Sequence, residues 1–372
     1  MKRALAIFFA VFFIFQGLLF WKDPQEDILL TEKRTVARFP QKMRFTTHGI
    51  REYFAEIDRY FADRLLFRPE IMDLTAKMND VLRDVPDFDR AFLGSDGWIF
   101  EGNLNSRATD KFTGLVPPRP TTRMVEDIKR GLAQYPDIPS YFILGPVKSS
   151  VYPEYLPKFV RPAPIRYAEP LLENLGQTSL AVFDPTAIMK ESKDRGLLYY
   201  RTDTHWNLLG GAITAEAFLD FYNARHPDRE PLSFPGYSLE LTDEAFNGDL
   251  ISLGNLLFFR AVPGDVYKIV WDQPRPNLIV INEDGRREIA AEGHAGMAVS
   301  NHPYTVINPA ALTDLRVWLF RDSFSEALAP YFHTLFAETK HIFKHDLFKG
   351  TEVYKEGPLP DLIIYEIVER DL

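Results

Sequence analysis

The sequence predicts an α/β fold: a parallel sheet flanked by helices, with a β-rich insertion and an N-terminal transmembrane helix. Three observations predict it. Short, continuously apolar runs alternate with helical stretches from about residue 122 onward, the pattern of strands buried on both faces. Residues 233–310 break that alternation with proline, glycine and short strand-like pieces. Ala4 to Trp21 is one apolar run, interrupted only by Gln16 and Gly17.

The N-terminal run follows Lys2 and Arg3. As a helix it spans roughly 27 Å at about 1.5 Å per residue, close to the hydrocarbon thickness of a bilayer. The leading positive charges favour an inside N-terminus. The run ends in Leu18, Leu19, Phe20 and Trp21, whereas a signal-peptidase site wants small residues. An uncleaved anchor over 1–21 is therefore expected, with a cleaved signal peptide as the alternative. Both place the rest of the chain outside the cytoplasm. Residues 22–48 are polar and read as a stalk, and 49–372 as the folded domain with 233–310 inserted in it.

From Gly49 an amphipathic helix is expected, since Ile50, Phe54, Ile57, Phe61 and Leu65 step by three or four. Pro69 interrupts it, and a second helical stretch runs near 70–82. Ala91–Leu93 and Gly97–Phe100 read as a small β unit turned at Ser95-Asp96-Gly97. A helix is expected near Thr122–Tyr135. Strands are expected at Ser140–Leu144, Leu180–Phe183, Leu315–Phe320, His341–Phe343 and Leu362–Val368. A helix should begin directly after Ser323, with Ala327, Leu328, Tyr331, Leu335 and Phe336 on one face.

Composition narrows the function classes. The 372 residues are 46% hydrophobic and 26% charged, too apolar for a disordered chain. A net charge of −9 argues against nucleic-acid binding through a basic face. Without cysteine there are no disulfides, thiolate metal sites or cysteine nucleophiles. No phosphate-cradling loop or dinucleotide fingerprint is present, and no cofactor is implied.

Two segments carry chemistry. In Val317–Ser325 a buried strand delivers Asp322 and Ser323 to its C-terminal end, the edge where open α/β sheets bind ligands. A serine there sits beside free N–H groups that can stabilise an oxyanion. Helix capping accounts for the same two residue types. In Thr202-Asp203-Thr204-His205-Trp206-Asn207, an extended backbone would put Asp203 and His205 on one face. The carboxylate could then orient the imidazole, leaving its other nitrogen for a serine. A turn cap at Asp203 and a surface histidine at 205 are the alternative.

Together the two segments resemble the alginate O-acetyltransferase family of the AlgX and AlgJ type, which are SGNH-hydrolase-like proteins. The resemblance extends to Phe61-Ala62-Asp63-Arg64, Gly94–Phe100, Gly145-Pro146-Val147-Lys148, Asn247-Gly248-Asp249-Leu250 and Pro360–Glu366. It implies Ser323 as nucleophile, His205 as base and Asp203 as orienting acid, with no catalytic step for Asp322. Where the SGNH serine block has glycine two residues before the serine, this chain has Arg321. Lys148, Asn255 and Arg321 are the candidate substrate-binding or oxyanion residues, Lys148 standing equally for a structural ion pair.

The resemblance further implies a polysaccharide acceptor, and a membrane-bound O-acyltransferase partner that passes the acetyl group outward. A polysaccharide acetyl esterase of the same fold and a non-catalytic polysaccharide-binding or assembly protein are the rival readings. His341 and His345 stand four apart, which suits a metal pair only on a helix; the run reads as a strand, and no metal site is expected. Trp98 and Trp206 are core candidates with a possible sugar-stacking use.

Overall fold

The computed structural model describes residues 39–40, 53–57, 60, 90–103, 106–254, 256, 259–290, 302–345 and 358–372. The expected anchor over 1–21, nearly all of the stalk and Asn255 lie outside the described residues. Among the described residues no helix is long and apolar enough to cross a membrane. The chain divides into two compact units, residues 1–86 with 252–259, and residues 87–251 with 260–372. In the first, residues 53–57 are helical, and the rings of Phe39 and Tyr60 meet edge-on at 5.1 Å.

The second unit opens with a hairpin of β1 (Ala91–Leu93) and β2 (Ile99–Glu101). Its turn is made by Asp96 and Gly97, both at positive φ, a conformation that glycine adopts without steric cost. The remaining strands are β3 (Ser140–Gly145), β4 (Ala181–Phe183), β5 (Tyr237–Leu241), β6 (Tyr267–Trp271), β7 (Leu278–Asn282), β8 (Arg287–Ala290), β9 (Tyr304–Ile307), β10 (Thr313–Arg321), β11 (Phe336–Phe343) and β12 (Leu362–Val368). β5 and β6 form a separate antiparallel pair. The others build one sheet of eight strands in the order β4-β3-β12-β10-β11-β9-β7-β8.

Neighbours from β4 to β11 run parallel. Those from β11 to β8 run antiparallel, so the sheet is mixed rather than parallel throughout. The expected insertion therefore contributes three strands to the main sheet. Burial explains the change of direction. β3 and β12 are buried at every position, as parallel strands between helices must be. β8 is mostly exposed, which an antiparallel edge tolerates.

Side-chain alternation along β3 divides the core. Tyr141 and Ile143 face the helix Leu208–Asn223, while Phe142 and Leu144 face the helices Arg123–Gln134 and Glu169–Gly176. Thr122 caps the helix Arg123–Gln134 by accepting from Val125 N–H.

β10 and β11 extend beyond the runs expected for them. The helix between them is only Ala329–Leu335, because Phe336 already belongs to β11.

Gly211 brings Leu208–Asn223 against the turn Ser323–Ala327 that follows β10. A Cβ there would lie 2.4 Å from the Ala327 carbonyl oxygen and 2.7 Å from its carbon. Gly→Ala within a helix normally gains about 1 kcal/mol. Here Gly211→Ala is expected to lose about 1–3 kcal/mol by overpacking against backbone. A thermal melt of the variant checks the sign; a raised midpoint would contradict this packing.

Candidate active site

β10 ends at Arg321, and the chain turns at once into a 3₁₀ helix, Ser323–Ala327, instead of the α-helix expected there. Asp322 fixes that turn. Its Oδ1 accepts from Phe324 N–H at 2.9 Å, and its Oδ2 from Val368 N–H at 2.8 Å at the end of β12. Asp322 is thus a cap and a strap, which explains why capping and nucleophile readings shared the same dipeptide. Ser323 opens the turn, where an N–H has no acceptor within the helix, and its side chain is half-exposed.

The Asp203–His205 segment precedes the helix Leu208–Asn223, whose first N–H groups are capped by Asn207. It is a turn rather than an extended strand. The turn lets one carboxylate oxygen, Asp203 Oδ1, accept from His205 N–H at 3.0 Å and meet His205 Nδ1 at 2.5 Å. Next to it, Trp206 donates its indole N–H to the Phe324 carbonyl at 2.6 Å. That bond joins two segments far apart in sequence. Beside it, His205 Nε2 lies 2.6 Å from Ser323 Oγ. Asp203, His205 and Ser323 therefore form a continuous hydrogen-bonded relay.

A third segment buttresses the acid. Asp249 N–H donates to Asp203 Oδ2 at 2.7 Å, and its carboxylate accepts from Thr204 N–H and Thr204 Oγ at 2.9 Å each. The chain passes so close that a Cβ on Gly248 would sit 2.4 Å from the Asp203 Cβ. Sequence reasoning quoted Asn247-Gly248-Asp249 only as part of a resemblance and assigned it no role. A glycine beside an acid was the available signal.

Electrostatics follow from these contacts. Burial pushes the Asp203 carboxyl up, but the His205 side chain and two N–H donors outweigh it and hold the group well below the carboxylate range. Burial disfavours the His205 imidazolium; the Asp203 carboxylate, with Asp249, more than offsets this and leaves its pKa above the ordinary 6.5. Asp249 is raised by burial and by Asp203.

Asp203, His205 and Asp249 offer three ligand atoms within 4.8 Å of one another. Their oxygens are already engaged by the donors just named, an arrangement suited to orienting an imidazole.

Lys148 departs from both expectations for it. It is 4% exposed and donates to three carbonyls, those of Tyr200 at 3.1 Å, Arg201 at 3.0 Å and Asp203 at 2.7 Å. It binds the loop that carries Asp203 and His205, rather than one carboxylate, and is closed off from solvent. Arg321 is 1% exposed, with its guanidinium over the rings of Tyr304 and Phe343. That burial withdraws it from substrate. Trp98 and Trp206 are each 1% exposed and present no face to a sugar. His341 lies on β11 with its Nε2 2.9 Å from that of His333, a buried pair that does not involve His345.

Comparison with known proteins follows the same lines. Residues 91–262 match the family model described as an SGNH hydrolase-like domain, acetyltransferase AlgX. A curated relative from Pseudomonas putida, "Probable alginate O-acetylase AlgJ", is 35% identical over 132 residues, 34% of this chain and 32% of that protein. The match thus spans about a third of the relative's length. Bacillus cereus PatB1 shares the fold with a TM-score of 0.51 at 12% identity, over 75% of this chain and 96% of that one. The O-acetyltransferase domain of P. putida AlgJ aligns with a TM-score of 0.46 at 19% identity, over 76% of this chain and 91% of that one.

Proposed function

With its resemblance to the AlgX/AlgJ-type acetyltransferase family supported over residues 91–262, we propose that this chain is an O-acetyltransferase acting on a polysaccharide through an acetyl-serine intermediate. The relay from Asp203 through His205 to Ser323 carries the reading. His205 Nε2 takes the Ser323 proton as Oγ attacks the acetyl carbonyl of the donor. Collapse of the tetrahedral intermediate breaks the bond to the donor's leaving group, which receives that proton from His205. A sugar hydroxyl then gives its proton to His205 and attacks the acetyl-serine. The ester passes to the sugar, and Ser323 regains its proton. Asp203 holds the imidazole and stabilises its charged form throughout.

The apolar run over 1–21 supports an extracytoplasmic setting for this chemistry, tethered to a membrane. A membrane-bound O-acyltransferase partner would supply the acetyl group there, at a high effective concentration imposed by the tether. The chain's match to a probable alginate O-acetylase makes alginate the first acceptor to try.

Incubation with an activated acetyl ester and alginate-derived oligosaccharides should yield acetylated sugar and, on acid quench, acetyl on Ser323. Free acetate with no acetylated sugar would identify an esterase instead. The base must be neutral to accept a proton, and His205 is held above 6.5. Activity (kcat/KM) should therefore rise with pH through a midpoint above 6.5. A midpoint at or below that value would contradict the pairing with Asp203.

A further inference from the structure

Two aromatic side chains near the relay have no part in the mechanism above. The rings of Tyr200 and Phe246 lie 4.6 Å apart and open at 45° to each other. Phe246 is 41% exposed, unlike the aromatics of the core. Its position is nonetheless tightly set. The Phe246 carbonyl accepts from Thr202 Oγ at 2.6 Å, and Thr202 Oγ in turn accepts from Gly248 N–H at 3.0 Å. The segment is thus stitched to the loop of the acid and base, while the ring is left to solvent.

Tyr200 is placed by a short cross-strand pairing. Tyr199 and Trp206 form an isolated antiparallel bridge and are both buried in the core. Tyr200 N–H donates to the His205 carbonyl at 3.3 Å. Successive side chains leave an extended backbone on opposite faces, so Tyr200 leaves on the face away from Tyr199. Its phenol is pushed up to about 12 by burial and by the charges of Asp203, Asp265 and Glu326. The ring therefore stands within electrostatic reach of the relay.

We infer that Tyr200 and Phe246 form a shelf that takes the apolar face of a pyranose ring of the acceptor. The inference rests on the acetyl-transfer reading for the identity of the acceptor. A pyranose has a face of C–H groups and a rim of hydroxyls. An aromatic wedge matches the C–H face and leaves the hydroxyl rim to solvent, as carbohydrate-sized sites need a mostly apolar lining. The shelf is uncharged, so it serves neutral and uronic sugars alike, and carboxylate recognition is not its task.

The test measures binding by calorimetry on the full-length Ser323→Ala chain, which cannot turn over. Alginate-derived and cello-oligosaccharides are the probes. Phe246→Ala and Tyr200→Ala should each weaken binding of at least one probe about tenfold, as loss of an interface aromatic does. Phe246→Trp should bind as the parent does. Because Phe246 is exposed, its variants should keep the parental melting midpoint, which separates loss of binding from loss of fold. Absence of binding for both probes, or parental affinity in Phe246→Ala, overturns the shelf. Failure of the transfer reading shows elsewhere: the Ser323 chain then makes no acetylated sugar, while probe binding still depends on Phe246.

Discussion

The Asp203→Asn chain should fold and lose acetyl transfer by roughly 10⁴-fold, the scale seen when the acid of a serine triad is replaced by its amide. The geometry gives the reason. Asp203 Oδ1 faces two His205 nitrogens, and Oδ2 faces the Asp249 N–H. All three neighbours present donors to a carboxylate. An asparagine amide has one acceptor and one donor end. If its oxygen keeps the histidine contacts, its NH₂ meets the Asp249 N–H. If it flips, the NH₂ meets the His205 backbone N–H and Nδ1, and the imidazole is driven to the wrong tautomer. Neither arrangement stabilises the imidazolium formed when Ser323 is deprotonated. The acidic limb of kcat/KM should also move down, since the carboxylate that raises His205 is gone. Transfer within tenfold of the parent chain would remove Asp203 from the proposed mechanism.

Lys148→Met is the second large effect, expected to cut kcat about 10²-fold with KM little changed, in keeping with the cost of misplacing catalytic groups. The substitution keeps a chain of similar length but strips the donors from three inward-facing carbonyls. Each buried group left unsatisfied costs about 1–3 kcal/mol, so the melting midpoint should fall as well. Lys148→Arg should not restore activity, because a planar guanidinium cannot converge on three carbonyls as a compact ammonium does. Normal kcat in Lys148→Met would show that the loop holds its shape unaided.

The same lysine separates stability from activity as pH changes. Burial pushes it down to about 7 against the pull of Asp203, Asp249 and Asp265, from an ordinary 10.5. The folded chain therefore binds this proton less tightly than the unfolded chain does. Between about 7 and 10.5 the unfolded state holds more protons at this site, so its contribution to stability rises with pH. Losing that proton also removes one of the three N–H donors on the loop. On the alkaline side of the rise set by His205, activity should decline without a matching decline in thermal stability, and Lys148→Met should abolish that divergence.

The readable parts of the sequence were those where one segment decides the outcome. Ser140–Gly145 and Leu362–Val368 are almost wholly apolar because both faces of the strand are covered; the second has the expected limits and the first runs one residue further. Asp-x-His and Asp-Ser could be placed at strand and helix ends for the same reason. What escaped was decided between segments. Residues 278–307 looked like an excursion because sheet membership depends on pairing with β11, which the local pattern does not encode. Lys148 stood equally for a substrate ligand and an ion pair because a lone lysine after a strand says nothing about the carbonyls that converge on it. Asp249 was overlooked because its work is done largely by its backbone N–H, a group every non-proline residue has. The order Ser–turn–helix misled by one turn, since a 3₁₀ helix and an α-helix share their first cap.

The indole bond from Trp206 to the Phe324 carbonyl spans 118 positions of sequence, the same separation as between the imidazole and the hydroxyl it serves. During synthesis the imidazole is made long before the hydroxyl, and the two meet only when β10 takes its place in the sheet. A nascent chain that has not reached β10 therefore lacks the relay, and on the proposed mechanism its chemistry begins only at a late step of folding. Chains halted before β10 should resist a serine-directed phosphonate that labels the finished protein.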